Sequence, residues 1–254
     1  MEFTEIRGCF LMKCHQNRKD VANLLLDDID LETLIENLAN RDAKRKIAIG
    51  IHITTLNATF RKLITKADFS DIDYIYPDGW SVQLLARMSG LSNVQRIATT
   101  ELVPLLLQKF KEPLRVCFVG GPTDIGPAIS ERWSQFRSQD KSFFFSGYQP
   151  DWHKTLKDIR STQSDILLLG LGMPNELLFI KTYSEFLPDN LIITCGGLLR
   201  ILAGVEKRSP KIIQLLRMEW LYRLVTSPRR TTSRYTIGIV NLLRALLIVL
   251  RNRL

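Results

Sequence analysis

A single carboxylate stands at a strand-to-helix turn within IYPDGWSVQLLARMSG, residues 75–90. The strand-forming pair Ile75 and Tyr76 leads into a turn that holds Asp78, and a helical pattern begins at Trp80. The ordinary role of an aspartate at such a turn is to cap the helix, which contributes about 1 kcal/mol. The other role is chemical, because a positioned carboxylate is able to act as a general base. Taken alone, the turn favours a capping role for Asp78. Other parts of the chain are needed to distinguish this role from that of a general base.

Three glycine-containing turns follow predicted strands. They are Gly120 and Gly121 in VCFVGGP, Gly172 in DILLLGLGMP, and Gly196 with Gly197 in IITCGG. Glycine lets the backbone approach a phosphate closely, and the N-terminus of a following helix favours an anion. None is a complete G-x-G-x-x-G or Walker A loop, so a nicotinamide-dependent oxidoreductase lacks its fingerprint. Each turn alone is more often structural, but together they favour a nucleotide or sugar-phosphate ligand.

Other polar residues have more ordinary interpretations. The two Asp-Ile-Asp stretches, 28–30 and 71–73, have a spacing that is able to chelate a divalent metal, but their positions favour helix capping and a polar loop. His52 falls inside a predicted apolar strand, which favours a buried core histidine. The four cysteines form no Cys-x-x-Cys pair and no zinc spacing, so we expect thiols and no metal site.

These residues have to be positioned by alternating strands and helices. The predicted strands are 46–54, 73–76, 114–120, 142–146, 165–170 and 190–195, and helical patterns cover 79–89, 100–111, 125–137, 152–162 and 175–186. Several strands are continuous apolar runs, as expected when helices cover both faces of a parallel sheet. The sequence therefore predicts the α/β class, with a Rossmann-like parallel sheet covered by helices. In such sheets ligands bind beyond the carboxyl ends of the strands, where Asp78 and the glycine turns lie.

We predict three segments along the chain. Residues 1–44 form a helical and polar extension, 45–209 the α/β catalytic domain, and 210–254 a helical appendage. In the extension, DDIDLETLIENLANR predicts an amphipathic helix with Asp30 as N-cap. Its apolar face holds Leu31, Leu34, Ile35 and Leu38.

The excess positive charge belongs to the end of the chain. From Arg200 onward, 12 basic residues stand against two acidic ones, a net +10, whereas the preceding 199 residues hold 23 basic and 24 acidic side chains, a net −1. The end also carries two apolar helical patterns, whose longest uninterrupted apolar run, Ala245–Leu250, is far shorter than the roughly 20 residues that span a bilayer.

These features predict a basic amphipathic appendage that lies on an anionic membrane surface without crossing it. A helix packed on the domain or on another subunit is the alternative. Nucleic-acid binding is disfavoured because the arginines are mixed with long aliphatic runs.

The order of motifs resembles the WecG/TagA/CpsF family of bacterial inverting glycosyltransferases, glycosyltransferase family 26. The resemblance covers about residues 46–236. The stretches that carry it are TTLNA (54–58), YPDGWSV (76–82), QRIATTEL (95–102), VCFVGGP (116–122), SGYQ (146–149), LGLGMPNELLFI (169–180), GGLLRILAGVEKRSP (196–210), and MEWLYRLVTSPRR with RY (218–235).

The resemblance implies transfer of a sugar, with inversion, from a UDP-sugar to a saccharide on undecaprenyl diphosphate. The products of such enzymes are exopolysaccharide, capsule or cell-wall polymers. It implies a cytoplasmic protein attached peripherally to the inner face of the cell membrane through 210–254. No metal or other cofactor and no nucleic acid is expected, and a homo-oligomer is compatible with the apolar tail.

The resemblance also implies roles for particular residues. Asp78 would be the general base that deprotonates the acceptor hydroxyl. Arg96 would neutralise the charge that builds on the departing UDP. The implied substrate-binding residues are Thr55, Asn57, Gly79, Glu101, Gly120, Gly121, Tyr148, Gly172, Pro174, Glu176, Gly196, Gly197 and Arg200, with Arg208, Arg223 and Arg229 as candidates from the appendage region.

The chain departs from the family pattern at three places. Pro-Asn-Glu-Leu (174–177) replaces Pro-Lys-Gln-Glu, Leu199–Arg200 replaces Phe-Asp, and Thr99-Thr100-Glu101 replaces Gly-Thr-Asp. The donor sugar is therefore left open, with the hypothesis that Arg200 admits an acidic or otherwise different donor. The alternative function is a membrane-associated or nucleic-acid-binding protein that keeps the fold without transferase activity.

Overall fold

The structure is a computed structural model. It describes residues 18–40, 45–207, 209–210, 212–213 and 219–252, without the side chains of residues 223, 229, 230 and 234.

A six-stranded parallel sheet forms the centre of the molecule, as predicted. Its strands are β3 (Lys46–Ile51), β4 (Tyr74–Pro77), β5 (Arg115–Gly120), β6 (Lys141–Phe145), β7 (Ile166–Gly170) and β8 (Leu191–Thr194). Their order across the sheet is β4-β3-β8-β7-β5-β6. The chain builds β3 and β4, crosses to β5 and β6, and returns to place β7 and β8 between the two pairs. All six carboxyl ends therefore meet along one edge.

Helices cover both faces of the sheet, which confirms the α/β class. One face carries α2 (Ile53–Phe60), α3 (Trp80–Met88), α6 (Trp152–Ser161) and α7 (Asn175–Thr182). The other carries α1 (Leu31–Ala39), α4 (Thr99–Leu107), α5 (Gly126–Phe136) and α8 (Leu198–Leu202). Successive β3 residues Ile47, Ala48 and Ile49 point into opposite cores, as the period of two in a strand requires. This double burial explains the continuous apolar strand patterns.

The N-terminal segment contains a hairpin that the sequence pattern did not predict. Strands β1 (Arg18–Val21) and β2 (Leu24–Asp27) pair antiparallel around a turn in which Ala22 and Asn23 both have positive φ. Asp27 accepts a hydrogen bond from the Ile75 N–H at 2.7 Å and so attaches the hairpin to β4, an edge strand. The hairpin and α1, which Asp30 caps as predicted, contribute buried side chains to the same two cores as the sheet.

The C-terminal helices are α9 (Glu219–Thr226) and α10 (Pro228–Arg251). The inner face of α10 packs on α2 and α3 and places Ala245 and Val249 in the core. Its outer face exposes large apolar side chains, Ile237, Val240, Leu243, Leu247 and Leu250. Within the described chain, Thr231–Arg251 is the one helical stretch that is long and apolar enough to cross a membrane by length and composition.

Candidate active site

One large cavity lies at the carboxyl edge of the sheet. It has a volume of about 1320 Å³, and residues at the ends of all six strands line it. The appendage forms part of its wall through Trp220, Tyr235, Ile239 and Leu242. The fold therefore places the cavity where open parallel sheets bind ligands.

Asp78 lies in this cavity and does not cap the following helix. The N-cap of α3 is Gly79, and no side chain makes the cap hydrogen bond. Instead, Asp78 Oδ2 accepts a hydrogen bond from Thr99 Oγ1 at 3.3 Å, and the Asp78 N–H donates to the Ile51 carbonyl at 2.8 Å. The capping interpretation of the turn is therefore wrong, and the half-buried carboxylate faces a space that is able to hold a ligand.

A second carboxyl group, Glu176, lies in the cavity wall and is almost fully buried. Its Oε1 accepts a hydrogen bond from the Gly196 N–H at 3.0 Å. Burial raises the pKa of Glu176 to about 7 against the opposing hydrogen bonds from the Gly172 and Gly196 backbones, and the negative charge of Asp78 adds to the increase. The charge of Asp78 therefore influences the protonation of Glu176 in the cavity.

Two cavity arginines are held by carboxylates. Arg96 lies 3.3 Å from Glu219 of α9 and 3.5 Å from Glu101 of α4. Arg200 donates from Nε to Glu206 at 2.9 Å. An anionic ligand that reached either guanidinium would share it with, or displace, these carboxylates.

The predicted glycines fall into two groups. At Gly120, φ is +147°, and an added Cβ would lie 2.3 Å from the Gly170 carbonyl oxygen, so Gly120 serves close packing of neighbouring strand ends. At Gly172, Gly196 and Gly197, an added Cβ would meet nothing within 4 Å. These three line the cavity and leave backbone accessible to a ligand. Gly121 also lines the cavity, but an added Cβ there would lie 2.4 Å from Ile125 Cδ1.

Five of the implied substrate-binding residues that the structure describes lie outside the cavity lining: Thr55, Asn57, Glu101, Gly120 and Pro174. The Thr55 side chain belongs to the capping box of α2, and Asn57 Oδ1 accepts from Asn241 Nδ2 of α10 at 3.0 Å. Pro174 precedes α7, after a cis peptide bond, and Glu101 is connected to the cavity through Arg96. Their roles toward substrate stay predictions. Gly79 lines the cavity, and so does Tyr148, which is 79% exposed.

Three predicted arginines cannot be placed. Arg208 lies outside the described residues, and so do the side chains of Arg223 and Arg229.

In the described chain no group of three His, Cys, Asp or Glu side chains is arranged to hold a metal. Asp30 caps α1 and Asp73 accepts from the Ile47 N–H, so both Asp-Ile-Asp stretches contribute to the fold.

Comparison with known proteins gives the family. The sequence profile of the family described as "Glycosyl transferase WecG/TagA/CpsF family" matches residues 19–254. The chain belongs to this family. Among WecG/TagA/CpsF proteins it is similar to an N-acetylglucosaminyldiphosphoundecaprenol N-acetyl-beta-D-mannosaminyltransferase of Bacillus spizizenii (strain ATCC 23059 / NRRL B-14472 / W23), at 30% identity over 65% of each chain. It is also similar to a protein of the same name from Bacillus subtilis (strain 168), at 27% identity over 83% of this chain and 84% of the relative.

In this WecG/TagA/CpsF protein, the departures from the family pattern cluster on the cavity. Thr99, Thr100, Asn175, Glu176, Leu199 and Arg200 all line it. They come from α4, α7 and α8, which lie on opposite faces of the sheet. Most of the positions at which the resemblance implied departures therefore line the same cavity as Asp78.

Sequence analysis missed several cavity residues and misplaced one. His52 is not a core histidine in a strand, because β3 ends at Ile51 and His52 is the half-buried N-cap of α2 in the cavity wall. Its position directly after an apolar run could have indicated this. The wall also contains Trp152 and Phe179, whose rings lie 4.7 Å apart, and no local pattern distinguishes them from ordinary core residues.

Proposed function

We propose that this protein transfers a sugar, with inversion, from a UDP-sugar to a saccharide linked to undecaprenyl diphosphate, in the synthesis of a cell-surface polysaccharide. The observation that carries the proposal is the Asp78 carboxylate, which is hydrogen-bonded by Thr99 and exposed to a cavity of about 1320 Å³ in a chain of this family. The names of the two relatives support a lipid-linked acceptor.

Asp78 acts as the general base in this proposal. In a single displacement the acceptor hydroxyl attacks the anomeric carbon from the face opposite the leaving UDP. Its proton has to leave as the new C–O bond forms, and a carboxylate at hydrogen-bond distance is able to accept it. Such proton transfer contributes about 10²–10⁴-fold to a rate.

Arg96 stabilises the departing diphosphate. The charge that develops on UDP as the glycosidic bond breaks is best stabilised by fixed positive groups in a site that excludes water. Arg96 lines the cavity, and its pairing with Glu101 and Glu219 holds the guanidinium in place before the donor binds. The backbones at Gly172, Gly196 and Gly197 leave room for phosphate groups in the same cavity.

The appendage brings this chemistry to the membrane. A lipid-linked acceptor confines the reaction to the membrane surface, and the exposed apolar face of α10 is suited to the inner face of the cell membrane. The protein then stays cytoplasmic and peripheral, and needs no metal or nucleic acid.

Release of UDP tests the function. The purified protein is incubated with UDP-sugars and an N-acetylglucosaminyl diphosphate on a polyprenyl chain. We expect acceptor-dependent UDP release that falls about 10²–10⁴-fold in Asp78→Asn, with unchanged folding by circular dichroism. Retained turnover in Asp78→Asn would remove Asp78 from the mechanism, and no release with any donor would favour a non-catalytic role.

The same donor panel tests the role of Arg200. If Arg200 selects an acidic donor, Arg200→Ala loses use of uronic-acid donors and keeps use of neutral ones. Equal use of all donors by both proteins contradicts the hypothesis. Because Arg200 is paired with Glu206, Glu206→Gln should strengthen the preference for an acidic donor.

A further inference from the structure

A chain of hydroxyl groups reaches Asp78 from the protein interior. Tyr76 Oη and Thr99 Oγ1 lie 2.9 Å apart, and Thr99 Oγ1 lies 3.3 Å from Asp78 Oδ2. Tyr76 has no exposed surface and Thr99 is 3% exposed. We propose that Thr99, supported by Tyr76, is a positioning residue that holds the Asp78 carboxylate in its reactive orientation, an inference that rests on the proposed function.

The direction of the chain follows from the chemistry of its groups. An ionised carboxylate only accepts hydrogen bonds, so the single hydroxyl proton of Thr99 is donated to Asp78. Thr99 Oγ1 then accepts from Tyr76. Burial raises the pKa of Tyr76 far above its usual range, with the charge of Asp78 adding to the increase, so the phenol keeps the proton that it donates. Tyr76 therefore donates its hydrogen bond to Thr99, and Thr99 donates to Asp78.

Gly50 of β3 provides the space in which the three side chains meet. A Cβ at Gly50 would lie 3.1 Å from Asp78 Cβ, 3.2 Å from Thr99 Oγ1 and 3.2 Å from Tyr76 Cε2. All three members of the chain therefore pack over one glycine. This convergence involves β3, β4 and the first residue of α4, which come from distant parts of the sequence.

Orientation matters because the carboxylate torsion of aspartate is soft. Rotation about χ2 has broad minima, so a fixed donor on one oxygen restricts where the other oxygen points. A misplacement of about 1 Å in a reacting group costs up to about 10²-fold in rate. Thr99 therefore acts on the chemical step through Asp78.

Replacement of the hydroxyl by a methyl group tests this role. In Thr99→Val we expect kcat to fall about tenfold to a hundredfold while the KM values for donor and acceptor stay within about twofold. Thr99→Ser should restore most of the activity, because it keeps the donor and loses only the methyl group. Thr162→Val is the control, since it removes another buried threonine hydroxyl away from the cavity.

Tyr76→Phe provides a second measurement that does not depend on the folding of Thr99→Val. It should lower kcat by a smaller factor than Thr99→Val, because Thr99 still donates to Asp78 but is no longer fixed. The inference is overturned if Thr99→Ser is no better than Thr99→Val, if the loss lies in KM, or if both substitutions behave like the control. The proposed function is tested separately. It stands if the wild type turns over substrate and Asp78→Asn does not, and it is contradicted if the wild type shows no turnover.

Discussion

At the scale of single residues, the least expected feature is a buried carboxyl group, Glu176, near the candidate base. Moving a carboxylate from water into a protein interior is unfavourable, and the Gly196 N–H offsets only part of this cost. The pKa of Glu176 therefore rises from 4.5 to about 7, mainly through burial. Near neutral pH the cavity holds this group in both protonation states.

Glu176→Gln should stabilise the fold in a pH-dependent way. Below pH 4.5 Glu176 is protonated in both the folded and unfolded chain, so the two proteins differ little. As the pH rises toward 7, only the unfolded chain ionises freely, and the wild type loses stability relative to the variant. The shift of the Glu176 pKa from 4.5 to about 7 corresponds to at most about 3–4 kcal/mol of stability, at roughly 1.4 kcal/mol for each pH unit.

Urea unfolding at pH 4, 6 and 8 measures this difference. Glu185→Gln provides the matched control, since it makes the same chemical change at an exposed position. A free-energy difference for Glu176→Gln that stays constant from pH 4 to pH 8 would contradict the assigned cause.

At the scale of elements, the inner face of α10 is fixed by a polar contact as well as by apolar packing. Asn241 is 2% exposed, and its amide donates to Asn57 of α2 across 184 positions of sequence. Beside this pair, Gly238 packs against Ile53. One face of α10 therefore packs on the α/β body, while the opposite face is exposed.

Asn241→Ala should loosen α10 from the body. Loss of one partner of a buried hydrogen bond costs about 1–3 kcal/mol, so the urea midpoint should fall and proteolysis within α10 should accelerate. Thr236→Ala, on the exposed side of the same helix, should have little effect on either measurement. If the two variants unfold at the same urea concentration, the Asn57–Asn241 contact does not hold the helix.

At the scale of the whole molecule, charge and apolar surface are concentrated at one end of the chain. The body from residue 1 to 199 has a net charge of −1, and the remainder has +10. The exposed apolar face of α10 adds apolar area to the same region. Basic residues near an anionic surface contribute about 1 kcal/mol each, so the two features act together at a membrane.

Binding to liposomes should follow from this arrangement. The protein should float with vesicles that contain phosphatidylglycerol, less strongly as salt rises, and Leu243→Ser/Leu247→Ser should lose most of the binding. Leu63→Ser, a change at another exposed leucine, in the body of the protein, should bind like the wild type. Retention on DNA that survives the Leu243 and Leu247 changes, without vesicle binding, would instead support a nucleic-acid partner.

The alternation of elements was accessible from sequence because it depends on local patterns. Apolar runs of strand length, separated by helical patterns, predicted all six sheet strands to within a few residues. Asp30 correctly indicated the start of α1. The hairpin at 18–27 was missed because β1, with the sequence Arg-Lys-Asp-Val, has no apolar run and its turn has no glycine. Strands β4 and β8 are equally short, but their sequences are mostly apolar and lie between helical patterns.

The sequence by itself determined the class of fold, the family resemblance and the place of Asp78 at a strand end. Only the tertiary structure decided what surrounds that carboxylate, because Thr99, Glu176 and Gly50 come together through the order of parallel strands. Hydrogen bonds and burial between such distant residues leave no periodic trace in a chain. They decide whether an aspartate at a turn caps a helix or, as in this structure, lies in a cavity held by a threonine hydroxyl.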